Sequence, residues 1–180
     1  MKLINEPMPG LKVLEPRIFG DSRGYFMESY NQNTFKDLGI KDSFVQDNLS
    51  LSGYGTIRGL HFQKGEYAQA KLVTVVRGAV IDVAVDLRPS SPTFKKFFAI
   101  ELSDQNKLIM YIPRGFAHGF GVLSENTLFS YKCDNFYSPT NEGGIRFDDA
   151  SLGIDWNIPK EKMIVSPKDL QNPLLAEISL

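Results

Sequence analysis

Short stretches in which apolar and polar residues alternate recur along most of the chain, and turn-forming residues separate them. In residues 80–88, Ile81, Val83 and Val85 point to one face while Asp82 points to the other. Similar runs cover residues 44–48, 56–62, 71–76, 97–102, 108–112, 117–123 and 127–133. Strands about 8–12 residues apart with turns between them are typical of a β-sandwich or barrel. We therefore predict an all-β fold.

Helical signals are confined to two short segments. Residues 34–38 end at Gly39, which is a common helix stop. Residues 166–169 begin with Ser166, a favoured N-cap, followed by proline at the first helical position and an acid at the third. We expect a few short helices at the periphery.

Composition narrows the class of protein. The 180 residues contain no repeat or linker-like stretch, so we expect a single domain over residues 1–180. The lone Cys133 cannot form an intrachain disulfide, and the first residues lack an apolar leader, so we expect a cytoplasmic protein. No apolar run has the length of a membrane helix. A formal net charge of −1, from 20 basic and 21 acidic residues, argues against a nucleic-acid-binding surface but permits a small anionic ligand.

Several predicted strands carry polar residues among apolar neighbours, as a polar pocket inside a barrel would require. Gln46 and Asn48 share a face, and Lys71 and Tyr131 each share a face with apolar residues. Each also has a purely structural interpretation. A lysine that begins a strand commonly reaches water, and a core tyrosine commonly has a hydrogen-bonded hydroxyl.

The strand around His61 places the histidine on the opposite face from Arg58 if the alternation is strict. A lone strand histidine is more often structural than catalytic. Asp169 is likewise explained by its place in the first turn of a helix, where an acid is favoured.

His61 and His118 are the only histidines. Residues 111–120, with a Pro-x-Gly turn before His118, resemble the second motif of the cupin superfamily, whose usual fold is a jelly-roll barrel. The first cupin motif normally supplies a His-x-His pair and a glutamate, whereas residues 59–63 supply only His61. A zinc site commonly needs three protein ligands, and a non-haem iron site needs two histidines and a carboxylate. Two histidines with a carboxylate from a distant part of the sequence would still allow a metal site, but we expect a cupin without a metal.

Ten runs, in order and at compatible spacing, closely resemble the dTDP-4-dehydrorhamnose 3,5-epimerases, which are metal-free cupins. The runs are residues 19–28, 45–48, 58–63, 71–73, 82–86, 91–94, 112–120, 131–132, 137–139 and 166–169. The resemblance extends over residues 14–175. Departures at residues 54–57 and 146–147 do not touch the set of catalytic residues that it implies.

The resemblance implies an isomerase that inverts C-3 and C-5 of dTDP-4-keto-6-deoxyglucose, as in the dTDP-L-rhamnose pathway, without a cofactor. Both carbons flank the C-4 ketone, so each proton can be removed to give an enolate and a proton returned to the other face. By resemblance His61 is the base, Tyr131 the acid on the opposite face and Lys71 the partner of the enolate oxygen. Asp169 matches the aspartate that pairs with the histidine.

The resemblance also implies a homodimer in which N-terminal strands help to build the neighbouring site, with Glu28 a residue that reaches across. The residues at substrate-contacting positions are Arg23, Phe26, Glu28, Gln46, Asp47, Asn48, Arg58, His118, Tyr137, Glu142 and Lys168.

Three alternatives stay open. One is an epimerase of C-3 or C-5 alone, and another is a ketoisomerase of a related nucleotide sugar, against which Tyr131 and Lys71 argue. The third is a nucleotide-sugar-binding cupin without catalytic activity, which would have no reason to keep the whole acid–base set.

Overall fold

The computed structural model describes residues 1–178 and consists mostly of strands; residues 179 and 180 of the expected domain lie outside the described part. The strands are β1 (Lys2–Met8), β2 (Leu11–Glu15), β3 (Ile18–Asp21), β4 (Gly24–Met27), β5 (Gln46–Ser52), β6 (Thr56–Gln63), β7 (Lys71–Arg77), β8 (Ala79–Asp86), β9 (Phe97–Ser103), β10 (Ile109–Ile112), β11 (Phe116–Val122), β12 (Thr127–Cys133), β13 (Glu142–Gly144) and β14 (Ile164–Val165). The helices are α1 (Gln32–Asp37) and α2 (Pro167–Leu170), with single 3-10 turns at Gly65–Tyr67, Pro139–Asn141 and Lys160–Lys162. The prediction of an all-β fold with a few short helices is confirmed.

Two large sheets form the body of the protein. The first has the strand order β1-β2-β10-β7-β12-β5, and the second has the order β13-β6-β11-β8-β9, with β14 added beside β6. All pairs are antiparallel except the parallel pair β14–β6. Both sheets take strands from both halves of the chain. Across residues 1–178 the two sheets are separate hydrogen-bonded layers, so the jelly roll is not a closed ring of strands.

One apolar cluster fills the space between the sheets and contains residues of both, such as Val73 and Phe129 from the first sheet and Val80 and Phe120 from the second. A second cluster lies on the other side of the second sheet, where residues 145–175 cover it. Strand β8 is therefore buried on both faces. Asp82 lies on the face that alternation assigned to it, but that face is inside the protein and Asp82 is 0% exposed. No helix within residues 1–178 is long and apolar enough to cross a membrane.

The helix α1 covers the outer side of the first sheet. Its Phe35 packs with Leu14, Leu72 and Ile109 in a third cluster. The helix begins at Gln32 rather than at residue 34, where it was predicted to begin. The reason is that the side chain of Asn31 accepts hydrogen bonds from the first-turn amides and caps the helix.

The sequence analysis missed β1–β4, β13 and β14. Strands β3 and β4 form a separate hairpin, hereafter the arm, whose pairing runs from Ile18 opposite Met27 to Asp21 opposite Gly24. Its large side chains have no core beneath them: Phe19 is 49% exposed and Phe26 is 67% exposed. Because neither face of the arm is buried in this chain, no alternation marks it.

A bulge in β6 decides what faces the space between the sheets. His118 of β11 pairs with His61 and Phe120 pairs with Arg58, so three residues of β6 span the length of two on β11. As a result Arg58 and His61 line the same cavity, while Ile57 and Leu60 pack in the cluster on the other side. The prediction that Arg58 and His61 point to opposite faces is wrong, because it assumed an unbroken alternation.

Gly59 lies in this bulge and has no space for a side chain. Its φ is 117°, and a Cβ atom there would lie 2.5 Å from the Cα of Gly119 and 2.7 Å from the carbonyl oxygen of His118. We expect Gly59→Ala to lower the free energy of unfolding by about 3 kcal/mol or more, since backbone strain and overlap add. Gly153→Ala is the matched control: its φ is +64° with open space around it, so only the smaller strain applies. Denaturant unfolding of both variants compares the two costs, and equal losses would contradict the expectation.

Candidate active site

A cavity of about 540 Å³ opens between the two sheets. Its lining includes Ser50, Thr56, Arg58, His61, Lys71, His118, Phe120, Tyr131, Ser166, Lys168 and Asp169. A second lobe of about 240 Å³ is lined by Gln46, Asn48, Gln69, Cys133, Tyr137 and Glu142 among others. His61, Lys71 and Tyr131 line both lobes. These three side chains therefore stand where the two lobes meet.

His61 is backed by a buried carboxylate. Its Nε2 lies 2.5 Å from Oδ1 of Asp169, which is 5% exposed at the side chain against 33% for His61. The helix α2 holds Asp169 in place: Ser166 caps the helix by accepting a hydrogen bond from the Asp169 amide at 3.1 Å, and the Gly59 amide donates to Oδ2 at 3.4 Å. Burial raises the pKa of Asp169, but the hydrogen bond and charge of His61 outweigh it, so the pKa lies below the ordinary value. The imidazole can take up a proton beside a fixed negative charge.

The low pKa of Asp169 predicts a pH-dependent contribution to stability. A carboxyl whose pKa is lower in the folded state stabilises the fold fully above its unfolded value, here 3.8, and loses that effect as the pH falls through the folded value. We expect the Tm difference between the protein and Asp169→Asn to be constant near neutral pH and to shrink below about pH 4. Asp47→Asn serves as the control, because its ion pair with Lys132 is exposed and should leave Tm nearly unchanged. A Tm difference that grows on acidification would contradict the expectation.

Lys71 and Tyr131 come from the adjacent strands β7 and β12. Nζ of Lys71 lies 5.9 Å from the centre of the Tyr131 ring. Burial lowers the pKa of the Lys71 ammonium and raises the pKa of the Tyr131 phenol. Among residues 1–178, Lys71 has no carboxylate within ion-pair distance, which leaves its ammonium free for a bound molecule.

His118 lies opposite His61 in the β11–β6 ladder and has its own carboxylate. Its Nε2 lies 2.9 Å and 3.1 Å from the two oxygens of Asp82. The Phe129 ring stacks beside the imidazole, with centres 6.1 Å apart and planes inclined by 21°. Burial lowers the pKa of His118, although the charge and hydrogen bond of Asp82 oppose it. His118 is accordingly neutral near pH 7.

Polar residues at the mouth form a connected group around Glu142. Its Oε2 accepts hydrogen bonds from Nζ of Lys168 at 2.6 Å and from the Tyr137 hydroxyl at 2.8 Å. Gln46 donates to Asn48 at 3.1 Å and accepts from the Tyr137 amide at 3.1 Å. Together they give the cavity entrance one basic side chain, one acidic side chain and an exposed aromatic ring.

Four residues expected to contact the substrate do not reach this cavity within the chain. Asp47 points to the outer face of β5 and pairs with Lys132 at 2.8 Å. Arg23 pairs with Asp21 at 2.6 Å on the arm, where Phe26 is also exposed. Glu28 follows the arm and accepts a hydrogen bond from Asn31 at 2.9 Å.

Sequence reasoning also missed two serines of β5. Ser50 lines the larger lobe, and its buried hydroxyl has no hydrogen-bond partner among residues 1–178. The hydroxyl of Ser52 accepts a hydrogen bond at 3.2 Å from Nε of Arg58, which lines that lobe. The alternation that places Gln46 and Asn48 on one face continues to both serines and was a signal for them.

Among residues 1–178, no three His, Cys, Asp or Glu side chains are grouped closely enough to hold a metal ion.

The cavity brings together an imidazole paired with a carboxylate, a phenol and an ammonium. Such a set of groups can remove a proton from a carbon next to a carbonyl and return one to it. That chemistry, in a cavity between the sheets of a cupin-like fold, is typical of sugar epimerases. The sequence profile of dTDP-4-dehydrorhamnose 3,5-epimerase matches residues 5–177, and the chain belongs to this family.

Individual relatives agree with the family match. The chain is 50% identical over 181 residues to dTDP-4-dehydrorhamnose 3,5-epimerase of Salmonella typhimurium, covering 100% of this chain and 98% of the relative. A crystal structure of the Elizabethkingia anophelis enzyme is 54% identical with a TM-score of 0.94, covering 98% and 97% of the two chains. The Legionella pneumophila epimerase, in complex with dTDP-4-keto-L-rhamnose, is 46% identical with a TM-score of 0.94, covering 99% and 94%. The family, isomerase class and cupin-like fold expected from the sequence are confirmed.

Proposed function

We propose that the protein inverts C-3 and C-5 of dTDP-4-keto-6-deoxyglucose to form dTDP-4-keto-L-rhamnose. The observation that carries the proposal is the meeting of His61, backed by Asp169 at 2.5 Å, with Lys71 and Tyr131 at the junction of two cavity lobes. The Legionella relative with dTDP-4-keto-L-rhamnose bound supports the choice of ligand.

In the proposed reaction His61 removes the proton from a carbon beside the C-4 ketone. The electron pair of the broken C–H bond forms the C=C bond of an enolate, and the negative charge moves to the C-4 oxygen. Lys71 stabilises that oxygen, and Asp169 stabilises the imidazolium that His61 becomes. Tyr131 then gives its hydroxyl proton to the opposite face of the carbon, which completes one inversion. Because burial raises the pKa of Tyr131, the phenol keeps its proton until the enolate takes it.

Basic side chains on the cavity wall fit the anionic part of the substrate. Arg58 and Lys168 both line the larger lobe, and guanidinium and ammonium groups are suited to phosphate oxygens. Tyr137, which is 49% exposed at the mouth, offers an aromatic surface on which a pyrimidine base can stack. We propose that the diphosphate lies against Arg58 and Lys168 and that the nucleoside base lies against Tyr137.

We also propose that the protein is a homodimer in which the arm of one subunit completes the cavity of the other. The arm carries Arg23 and Phe26 and leaves Ile18, Phe19 and Tyr25 exposed in a single chain, which is an apolar surface that a second subunit would cover. The same proposal explains why Arg23 and Phe26 do not line the cavity of their own chain.

Mixed dimers test the shared site. His61→Asn and Arg23→Ala homodimers should both have low activity. After the two variants are unfolded and refolded together, half of the dimers are mixed, and each mixed dimer regains one complete site. Activity should therefore rise to about one quarter of the wild-type value if the subunits pair at random. No recovery, with mixed dimers demonstrated by mass spectrometry, would mean that each arm serves its own subunit.

The proposed reaction is tested by incubating the protein with dTDP-4-keto-6-deoxyglucose in deuterated water. Solvent deuterium should appear at both C-3 and C-5 in the proton NMR spectrum, together with the signals of the L-rhamno product. Exchange at one carbon alone would assign the protein to the single-carbon epimerases. If exchange does not exceed that of a heat-inactivated control, the protein either binds a nucleotide sugar without catalysis or acts on another substrate. We also propose a cytoplasmic location, since Cys133 is the single cysteine of the sequence and proteins without disulfides are typical of that compartment.

A further inference from the structure

Asp82 is a buried carboxylate on the inner face of β8, next to the cavity. It is 0% exposed, and its two oxygens lie 2.9 Å and 3.1 Å from Nε2 of His118. A carboxylate in this position loses its hydration, which is costly unless its hydrogen bonds are satisfied. The protein thus contains two His–Asp pairs on neighbouring strands, and the reaction described above uses only one of them.

We propose that Asp82 is a positioning residue of the epimerase, which confines the proton of His118 to Nε2 and so leaves Nδ1 as a hydrogen-bond acceptor for a hydroxyl of the substrate sugar. The inference rests on the proposed epimerase function. An ionised carboxylate only accepts hydrogen bonds, whereas a neutral imidazole has one donor and one acceptor nitrogen. With Nε2 donating to Asp82, Nδ1 is the ring nitrogen left for the cavity that His118 lines.

The surroundings of His118 keep the imidazole neutral. The side chain is 6% exposed and packs against Phe129 and Phe120, whose ring centres lie 6.1 Å and 6.4 Å away. The titratable groups that face it are Asp82, Lys71 and His61. Burial lowers the pKa of His118, Lys71 and any proton taken up by His61 act in the same direction, and Asp82 opposes them. A neutral ring accepts a hydrogen bond where an imidazolium would donate one.

His118, the partner of Asp82, and Lys71 line the same cavity, so the charge of Asp82 also acts on Lys71. Burial lowers the pKa of this ammonium, and Cys133, Asp82 and Glu142 are the groups that oppose it. Burial raises the pKa of the Cys133 thiol to about 11, so the thiol is uncharged near pH 7 and the opposing charges are those of Asp82 and Glu142. Asp82 therefore helps Lys71 to remain protonated for the enolate oxygen. Its removal should shift the loss of activity at high pH to lower pH.

The two histidines of the chain make the tautomer directly measurable. In protein labelled with ¹⁵N-histidine, the His61→Asn variant contains the imidazole of His118 alone. Its NMR spectrum near pH 7 should show a protonated Nε2 and an unprotonated Nδ1. A proton on Nδ1, or a doubly protonated ring at pH 7, would overturn the proposal. This measurement uses no substrate, so it stands or fails separately from the exchange experiment that tests the reaction.

Asp82→Asn tests the effect on the reaction, and Asp86→Asn is the matched control. Asp86 is also 0% exposed and on the same face of β8, but it binds Arg88, Ser91 and Thr93. An amide at position 82 can donate to Nε2, so the Nδ1-protonated form should appear. At a temperature where both variants are folded, kcat/KM of Asp82→Asn should fall by about tenfold or more. That factor corresponds to the free energy of one hydrogen bond. The high-pH limb should also move to lower pH.

Asp86→Asn should keep the wild-type tautomer and pH profile. Equal kcat/KM and pH profiles for the two variants would show that Asp82 only stabilises the fold and would overturn the proposal. If Asp82→Asn does not fold, the tautomer of His118 still decides the question, because it is measured in the His61→Asn variant, which keeps Asp82.

Discussion

Replacing His61 with asparagine is expected to abolish deuterium exchange at both C-3 and C-5 of dTDP-4-keto-6-deoxyglucose. His61 is the only imidazole that pairs with Asp169, at 2.5 Å among residues 1–178, and it is the proposed base for both carbons. Asparagine keeps a polar side chain of similar size but cannot accept a proton at neutral pH. Loss of a general base typically costs about 10²–10⁴ in rate. Proton NMR in deuterated water follows both positions in the same sample.

The result is informative only if the variant is folded and still binds. His61→Asn leaves the buried Asp169 without its imidazole partner, so some loss of Tm is expected. At a temperature where the variant is folded, its affinity for dTDP should stay within about tenfold of wild type. Exchange that persists at one carbon would show that a different group removes that proton. Undiminished epimerisation would remove His61 from the mechanism altogether.

Tyr131→Phe is expected to separate exchange from inversion. The variant keeps the aromatic ring, which packs 6.1 Å from Phe129, and loses only the hydroxyl. His61 can still remove a proton and return solvent deuterium to the same face, so exchange should continue. Inversion needs a proton from the opposite face and should slow by about 10²-fold or more. The measured quantity is the ratio of deuterated starting sugar to inverted product.

Tyr30→Phe is the control for loss of a phenol elsewhere. Tyr30 packs against Phe35 on the outer side of the first sheet, and this variant should invert both carbons at the normal rate. Inversion at the wild-type rate by Tyr131→Phe would show that another donor supplies the proton. Loss of exchange together with inversion would instead place Tyr131 in the removal step.

The strands with one regular face were predictable from the sequence. β7, β8, β9 and β12 were predicted within one or two residues of their observed bounds, because side chains alternate along a strand and each faces a core. Ser166 was correctly predicted to begin the helix that carries Asp169, because capping depends on neighbouring residues alone. The arm was not predictable in this way, since neither of its faces is buried within the chain.

The bulge in β6 shows the limit of pattern analysis within a strand. Alternation separated Arg58 from His61, yet both line the cavity. The extra residue depends on the close approach of Gly59 to Gly119, a glycine 60 positions away whose Cα leaves no space for a Cβ. No local pattern records that approach.

By itself the sequence determined the all-β class, the family and the residues at its motif positions, because alternation, turn chemistry and motif spacing are local properties of the chain. The family resemblance also implied that Asp169 pairs with His61, but the tertiary structure shows how the contact is made. Only the tertiary structure revealed the pairing of Asp82 with His118. The two contacts join residues 108 and 36 positions apart, and they follow from how strands pair and where α2 packs. The physical reason is that a side chain's face is set by its own strand, whereas its partner is set by the register and packing of distant strands.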